Sequence, residues 1–235
     1  MKDMQEKQFW MGVRDGLPTA LGYISIGVAC GIVAAPYLSP VEMSLMSLIV
    51  YAGSAQFVMI SMFALHQDIT SITLTVFLIN IRFLLMSLHT STSFRTANLW
   101  HNVGIGSILT DESYGVFLNK RGKQDAISPW WMHGNNLLGY LVWNVSTVAG
   151  VLLGALLPNP ERFGMDFALI AMFVGIFADQ FMGMQALGLG KKVALVLGAV
   201  SLSFFFLMPF LSQSLTVLVS TLVGCVVGVI IDDSK

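Results

Sequence analysis

The chemistry of this chain has to come from a few charged and polar residues set among apolar ones. Asp111 and Glu112 stand side by side in "GSILTDESYGVFLNKRGK", Gly106–Lys123. Arg82 follows Asn80 in "LINIRFLLM", and Asp179 precedes Gln180 in "ADQFMG". A charged group at the centre of a membrane helix costs at least about 2.5 kcal/mol, so each must turn inward and find a partner. A guanidinium presents a planar fork that fits a carboxylate. Arg82 can therefore hold a substrate carboxylate, pair with Asp111 or Asp179, or switch between the two. Consecutive helical residues point about 100° apart, so Asp111 and Glu112 serve one site only if the helix breaks. A carboxylate in a low dielectric suits proton exchange, which makes Asp111, Glu112 and Asp179 the candidates for coupling to an ion gradient.

A second stretch, "YAGSAQF" at Tyr51–Phe57, places Gly53, Ser54 and Ala55 beside the polar Gln56. Two readings stand. Small residues can open an unwound turn whose carbonyls receive an ammonium group. They can also simply pack helices closely, with Gln56 bonding a neighbour.

Other chemistries find no support. His66, His89, His101 and His133 lie near the ends of apolar segments, and none has a partner at the spacing of a metal site. There is no Gly-x-Ser-x-Gly elbow and no Cys/His arrangement, so an enzyme is not expected. "GLGK" at Gly188–Lys191 lacks the spacing and the hydroxyl of a phosphate loop. Cys30 and Cys225 sit inside apolar runs and read as small core residues. A net charge of −1 gives no basic footprint for nucleic acid. No metal or other cofactor is expected.

The elements that must carry these residues are membrane helices. The chain of 235 residues is 11% charged, against about 25% in soluble domains, and its mean hydropathy is +0.76. Seven segments have the length and composition to cross: Leu17–Tyr37, Met43–Leu65, Ile69–Leu88, Trp131–Leu157, Phe163–Leu187, Val193–Phe210 and Leu215–Ile231. The expected class is all-α, a polytopic integral membrane protein forming one transporter domain over residues 1–235. Lys2 and Lys7 before an apolar run imitate a signal peptide. Pro36 after the "VAA" at Val33–Ala35, the acids Asp3 and Glu6, and the later spans favour a retained first span.

Charge decides how the Asp111 segment is read. With Trp100–Leu118 outside the membrane, Lys2, Lys7, Arg14, Arg162 and Lys235 oppose Arg95, Lys120, Arg121, Lys123, Lys191 and Lys192, which is no bias. With that segment crossing, only Arg95 and Arg162 lie opposite the other loop cations. Positive residues collect on the cytoplasmic side. The expectation is eight crossings with both termini cytoplasmic, one of them polar and broken, with Gly104, Gly106 and Gly115 easing the distortion. The alternative is an amphipathic segment on the surface.

A weak echo relates the halves 1–125 and 126–235. "GVACG" (Gly27, Gly31) matches "GVLLG" (Gly150, Gly154), and "AQFVM" at Ala55–Met59 matches "DQFMG" at Asp179–Gly183. Gly-xxx-Gly pairs, including Gly224/Gly228, let backbones approach, either inside the protein or between copies.

Four motifs together resemble the AzlC family, the larger component of branched-chain amino acid exporters. They are Gly16-Leu17-Pro18, Ala52-Gly53-Ser54-Ala55-Gln56-Phe57, Asn80-Ile81-Arg82-Phe83 and Leu109-Thr110-Asp111-Glu112. The family pattern has His where Phe83 stands, so no role for a histidine carries over. The resemblance implies a bacterial inner-membrane permease that exports leucine, isoleucine or valine, with methionine as a further substrate. It also implies a small hydrophobic partner of the AzlD type. The substrate site would combine Gly53, Ser54, Gln56, Asn80, Arg82 and Asp111. The alternatives are a channel or a membrane assembly subunit that transports nothing.

Overall fold

The computed structural model describes residues 2–124, 126–156, 174–175, 177–178, 181–182, 184–185, 188–211 and 213–233, and every regular element among them is helical. The chain divides into two compact units, Met1–Ile170 and Ala171–Lys235. The first holds α1 (Lys2–Asp15), α2 (Leu17–Ala34), α3 (Pro40–Ile49), α4 (Gly53–Ala64), α5 (Ile69–Ser91), α6 (Leu99–Ser107), α7 (Asp111–Arg121) and α8 (Pro129–Gly154). The second holds α9 (Gly190–Leu207) and α10 (Gln213–Asp233). Asp179 and Gln180, and most of the Phe163–Leu187 segment, lie outside the described residues.

Three helices of the first unit are long and apolar enough to cross a membrane: α2, α5 with its extension to Phe94, and α8. In the second unit α9 qualifies. The protein is an all-helical, polytopic membrane protein. Leu74, Phe77, Leu84, Leu85 and Leu88 on α5 are exposed, as suits a helix facing hydrocarbon.

The spine of the first unit is α2 against α8. Helix association in a membrane gains from close backbone approach, not from hydrophobic exclusion, so small residues mark the contact. Gly27 lies against Ser146, Gly31 against Thr147 and Gly150, and Gly154 against Ile32 and Ala35. The two motifs that echo each other in sequence thus face each other in space. α1 continues the pattern, with Gly12 on Trp131 and Gly134 on Phe9 and Val13. The pairings climb together, from Gly12–Trp131 through Gly16–Asn135 to Gly31–Gly150, so α1–α2 and α8 run parallel. Gly16 bridges α1 and α2 through its N–H to Gly12 O and its O to Ala20 N, so the helix barely pauses at Gly16-Leu17-Pro18. In the second unit Gly224 meets Val200 and Val196 of α9, the same device.

The Met43–Leu65 segment is not one span. It is two half-length helices, α3 of 10 residues and α4 of 12. At about 1.5 Å per residue each covers roughly half of a hydrocarbon core about 30 Å thick. Ser39 and Glu42 form a capping box with Pro40 in the first turn, which starts α3. Val50–Ala52 leave the helix, with Ala52 N–H turning back to Val50 O. Pro36–Pro40 line one small pocket with Val151, Leu152 and Ala155, whereas Tyr51 packs on Tyr140. Thus α3 starts at the C-terminal end of α8 and reaches its middle. There the chain reverses. Gln56 of α4 returns to Ser47, and α4 then turns through Leu65–Asp68 into an antiparallel α5, whose Arg82 meets Ser54. His66, at φ +51, ends α4 with Gln67 N–H on Met62 O. α3–α4 is a re-entrant hairpin.

The Asp111 segment is a second one, and here the expected full crossing is corrected. α6 and α7 break at Ile108–Thr110, where Thr110 and Ser113 form a capping box. The break falls at this cap and not at the glycines, because Thr110 satisfies the first turn of α7 locally. The partners on α8 and α2 trace the path. His101 contacts His133, Asn136 donates to Ile105 O, and Tyr23 reaches Thr110. The chain then descends: Asn135 donates to Ser113 O, Phe117 clusters with Trp131 and Phe94, and Lys120 pairs with Asp15 at 2.9 Å. The hairpin enters and leaves at the N-terminal end of α8. Lys120, Arg121 and Lys123 still finish beside the N-terminal segment, as the charge asymmetry requires. Arg95, expected on the opposite side, joins them, because the adjacent Phe94 packs on Trp131.

The foot of α7 is held by Asp15, which accepts from Lys120 Nζ and from Trp131 Nε1, both at 2.9 Å. Burial alone would raise the Asp15 carboxyl. The hydrogen bonds from Lys120 and Trp131, with the charges of Lys120 and Arg14, outweigh it and hold the group below its ordinary value. A carboxyl lowered on folding stabilises the fold above its unfolded value near ~4, and that contribution is lost as pH falls through the folded value. Thermal melts from about pH 6 down to pH 3 should show a smaller acid-side loss in Asp15→Asn than in wild type. An identical acid limb would exclude Asp15 as a titrating group in that range.

Candidate functional site

The tips of the two hairpins meet beside α5 and α2, and the charged residues collect there. Arg82 is the fourteenth residue of α5 and is one-third exposed, at 34% of its side chain. One terminal nitrogen, Nη2, lies 2.7 Å from Ser54 Oγ on α4 and 2.9 Å from Asp111 Oδ2 on α7. A single guanidinium thus ties the outer hairpin to the inner one. Its Nε is buried without a partner among the described residues. The fork therefore has unused donor capacity, and it points into a site shared by four helices.

Local structure explains the placement. Asp111 and Glu112 occupy the first turn of α7, where the amide ends of a helix favour negative charge. The break frees them from the usual constraint on neighbours: Asp111 turns to α5 while Glu112 turns to α2. Glu112 Oε2 accepts from the Tyr23 hydroxyl at 2.6 Å, and Thr110 Oγ1 lies 2.7 Å from the same hydroxyl. Tyr51, in the outer break, crowds with Tyr23 over Gly139, and Tyr23 stacks edge-on against Trp143 at 5.3 Å.

Gly53 and Ser54 are the first residues of α4, and the N-cap Ala52 supplies no side-chain cap. The expected unwound carbonyls are therefore displaced. The unwound residues are Val50–Ala52, and Gly53–Gln56 present the amide end of a helix, which suits a carboxylate and not an ammonium group. Gly53 lies against the Trp143 indole, where a Cβ would crowd the ring.

The structure brings Ser54, Arg82 and Asp111 into direct contact, with Gly53 and Glu112 beside them. Gln56 takes the packing role: fully buried, it donates to Ser47 and accepts from Trp143 at 2.7 Å. Asn80 precedes Arg82 by two residues, about 200° around the helix, so it does not share the Arg82 face. Its Oδ1 is buried with no partner among the described residues. No group of three or more metal ligands occurs among the described residues.

Sequence reading missed Tyr23, Asn135 and Asn136. The two asparagines are 2% and 0% exposed, and each clamps one leg of the inner hairpin by donating to a carbonyl. A pair of amides inside an apolar span was the available signal, since a polar group there must bond to something.

The family model described as AzlC protein matches residues 18–157, which carry the whole of this site. The chain belongs to the AzlC family. Among curated AzlC-like proteins, it is 28% identical to the inner membrane protein YgaZ of Escherichia coli, over 94% of this chain and 90% of that one. It is 26% identical to the branched-chain amino acid transport protein AzlC of Bacillus subtilis, over 81% of this chain and 78% of the other. An uncharacterized membrane protein of Helicobacter pylori strain J99 is 26% identical over 68% of this chain and 70% of its own length. No solved structure matches. Membership in the AzlC family and the helical membrane architecture together support a role in membrane transport.

Proposed function

We propose that this chain is the large subunit of a gradient-driven exporter of branched-chain amino acids, working with a small hydrophobic AzlD-type partner. The observation that carries this reading is Arg82 suspended between the tips of two broken hairpins. Broken helices that meet near the midplane offer opposite dipole ends to a zwitterion. In this reading the substrate carboxylate takes the Arg82 fork and the free amides at the start of α4. Asp111, displaced from Arg82, receives the ammonium group. The surrounding Leu, Met and Phe side chains accept the aliphatic tail. An occupied and an empty site are then both charge-balanced, which keeps the guanidinium paired throughout.

The reading places the protein in a bacterial cytoplasmic membrane with both termini inside, since Lys2, Lys7, Arg14, Lys120, Arg121 and Lys123 gather at one end. Energy comes from a proton or ion gradient, with Asp111, Glu112 and Asp179 as coupling candidates. The test is transport in proteoliposomes, with and without the co-expressed partner, across a panel of amino acids. The expected result is saturable valine, leucine and isoleucine export with counterflow. Flux without saturation or counterflow would favour a channel. No flux of any amino acid under either condition would favour an assembly subunit.

A further inference from the structure

We propose that Glu112 is the group that exchanges the coupling proton, and that Tyr23 is the positioning residue that holds it in both of its protonation states. This deepens the transport reading above and rests on it for the coupling role. The two adjacent carboxylates have different company. Asp111 is neutralised by Arg82 at 2.9 Å. Glu112 forms no salt bridge among the described residues, and its partner is a hydroxyl at 2.6 Å. The groups facing it are Tyr23 from α2, Tyr51 from the outer break, and Asp111 and Thr110 from its own tip. On α5, Arg82 is committed to Asp111 and Ser54. On α8, the nearby groups are the neutral Asn135, Tyr140 and Trp143. A charge with no counter-charge, half-buried at the tip of a re-entrant hairpin, is relieved most directly by taking a proton.

Tyr23 makes that exchange compatible with a fixed hairpin. A hydroxyl has one donor and two acceptor positions. With Glu112 ionised, Tyr23 donates to Glu112 Oε2, and the Thr110 hydroxyl donates to Tyr23. With Glu112 neutral, the acid donates to Tyr23, and Tyr23 donates to Thr110 Oγ1. Both directions use the same 2.6 and 2.7 Å contacts, so no backbone has to move for the proton to arrive. One proton from water adds to the carboxylate to give the neutral acid, and the same proton later returns to water on the other side. Phenylalanine at position 23 would leave Glu112 without its partner in either state.

Infrared difference spectroscopy between acid and alkaline pH, on the purified full chain, reads the carboxyl directly and needs no substrate. The expected result is a protonated-carboxyl band that is lost in Glu112→Gln, shifted in Tyr23→Phe and retained in Asp111→Asn. Export driven by a pH gradient in proteoliposomes should lose its gradient stimulation in Glu112→Gln. A band unchanged in Glu112→Gln, or wild-type gradient stimulation in that variant, overturns the proposal. If Glu112→Gln does not fold, an unshifted band in Tyr23→Phe overturns it instead. A protein that shows the Glu112 band but moves no amino acid overturns the transport reading and supports the proton site. One that exports valine without that band overturns the proton site alone.

Discussion

Arg82→Ala should reduce valine export at least about tenfold, because two contacts to a guanidinium are removed, each with a charge-assisted strength of roughly 1.5–3 kcal/mol. The residue does two jobs. It ties Ser54 to Asp111 across the hairpin tips, and its unused Nε offers a further donor at the site. Arg82→Lys should recover only part of the rate, since an ammonium keeps the charge but lacks the planar fork. The truncation also strands Asp111, whose side chain is 13% exposed. An orphaned buried carboxylate destabilises the fold more than loss of the whole pair. Arg82→Ala combined with Asp111→Asn should therefore melt higher than Arg82→Ala alone, while export stays low. Efflux of labelled valine from cells loaded with a valine dipeptide measures the first effect, and thermal melts of the purified variants measure the second. Wild-type efflux from Arg82→Ala would take this residue out of the transport path.

The second large effect lies in the spine. Adding one methyl at Gly31 should destabilise the protein by about 1–3 kcal/mol or more. A Cβ there would strike the Thr147 carbonyl and come within 2.7 Å of Gly150 Cα and Val151 N. All three are backbone atoms, so no side chain can rotate out of the way, and α2 and α8 must separate. In lipid that separation forfeits dispersion contacts along the whole seam, with no hydrophobic gain to offset it. Gly22→Ala on the same helix is the control, since a Cβ there meets nothing within 4 Å. It should be neutral or stabilising by up to about 1 kcal/mol, through helix propensity. Equal melting temperatures for Gly31→Ala and Gly22→Ala would show that the seam tolerates opening.

Much of this architecture is written in short range. The apolar runs mark α2, α5, α8 and α9, because hydropathy depends on composition alone. Ser39 with Glu42, and Thr110 with Ser113, mark helix starts through spacing that only local backbone geometry has to satisfy. The cost of charge in hydrocarbon singles out Arg82, Asp111 and Glu112 and predicts that Arg82 finds a carboxylate. These inferences hold because each depends on residues within one turn or on a property summed over a window.

Other features depend on partners far along the chain. Hydropathy records how apolar a segment is, but not whether it continues across or turns back. The segment around Asp111 returns Lys120 to the Asp15 end as a hairpin, and the signs of the loop charges agree with that almost as well as with a crossing. Only the register against α8, rising from His133 to Asn136 and falling again from Asn135 to Trp131, separates the two. The same holds for Gln56, whose amide satisfies both readings until Ser47 and Trp143 claim its two ends. Tyr23 is one tyrosine among five in the sequence. Its place beside Glu112, 89 residues away, comes from how closely α2 and α8 pack and how far the inner hairpin reaches.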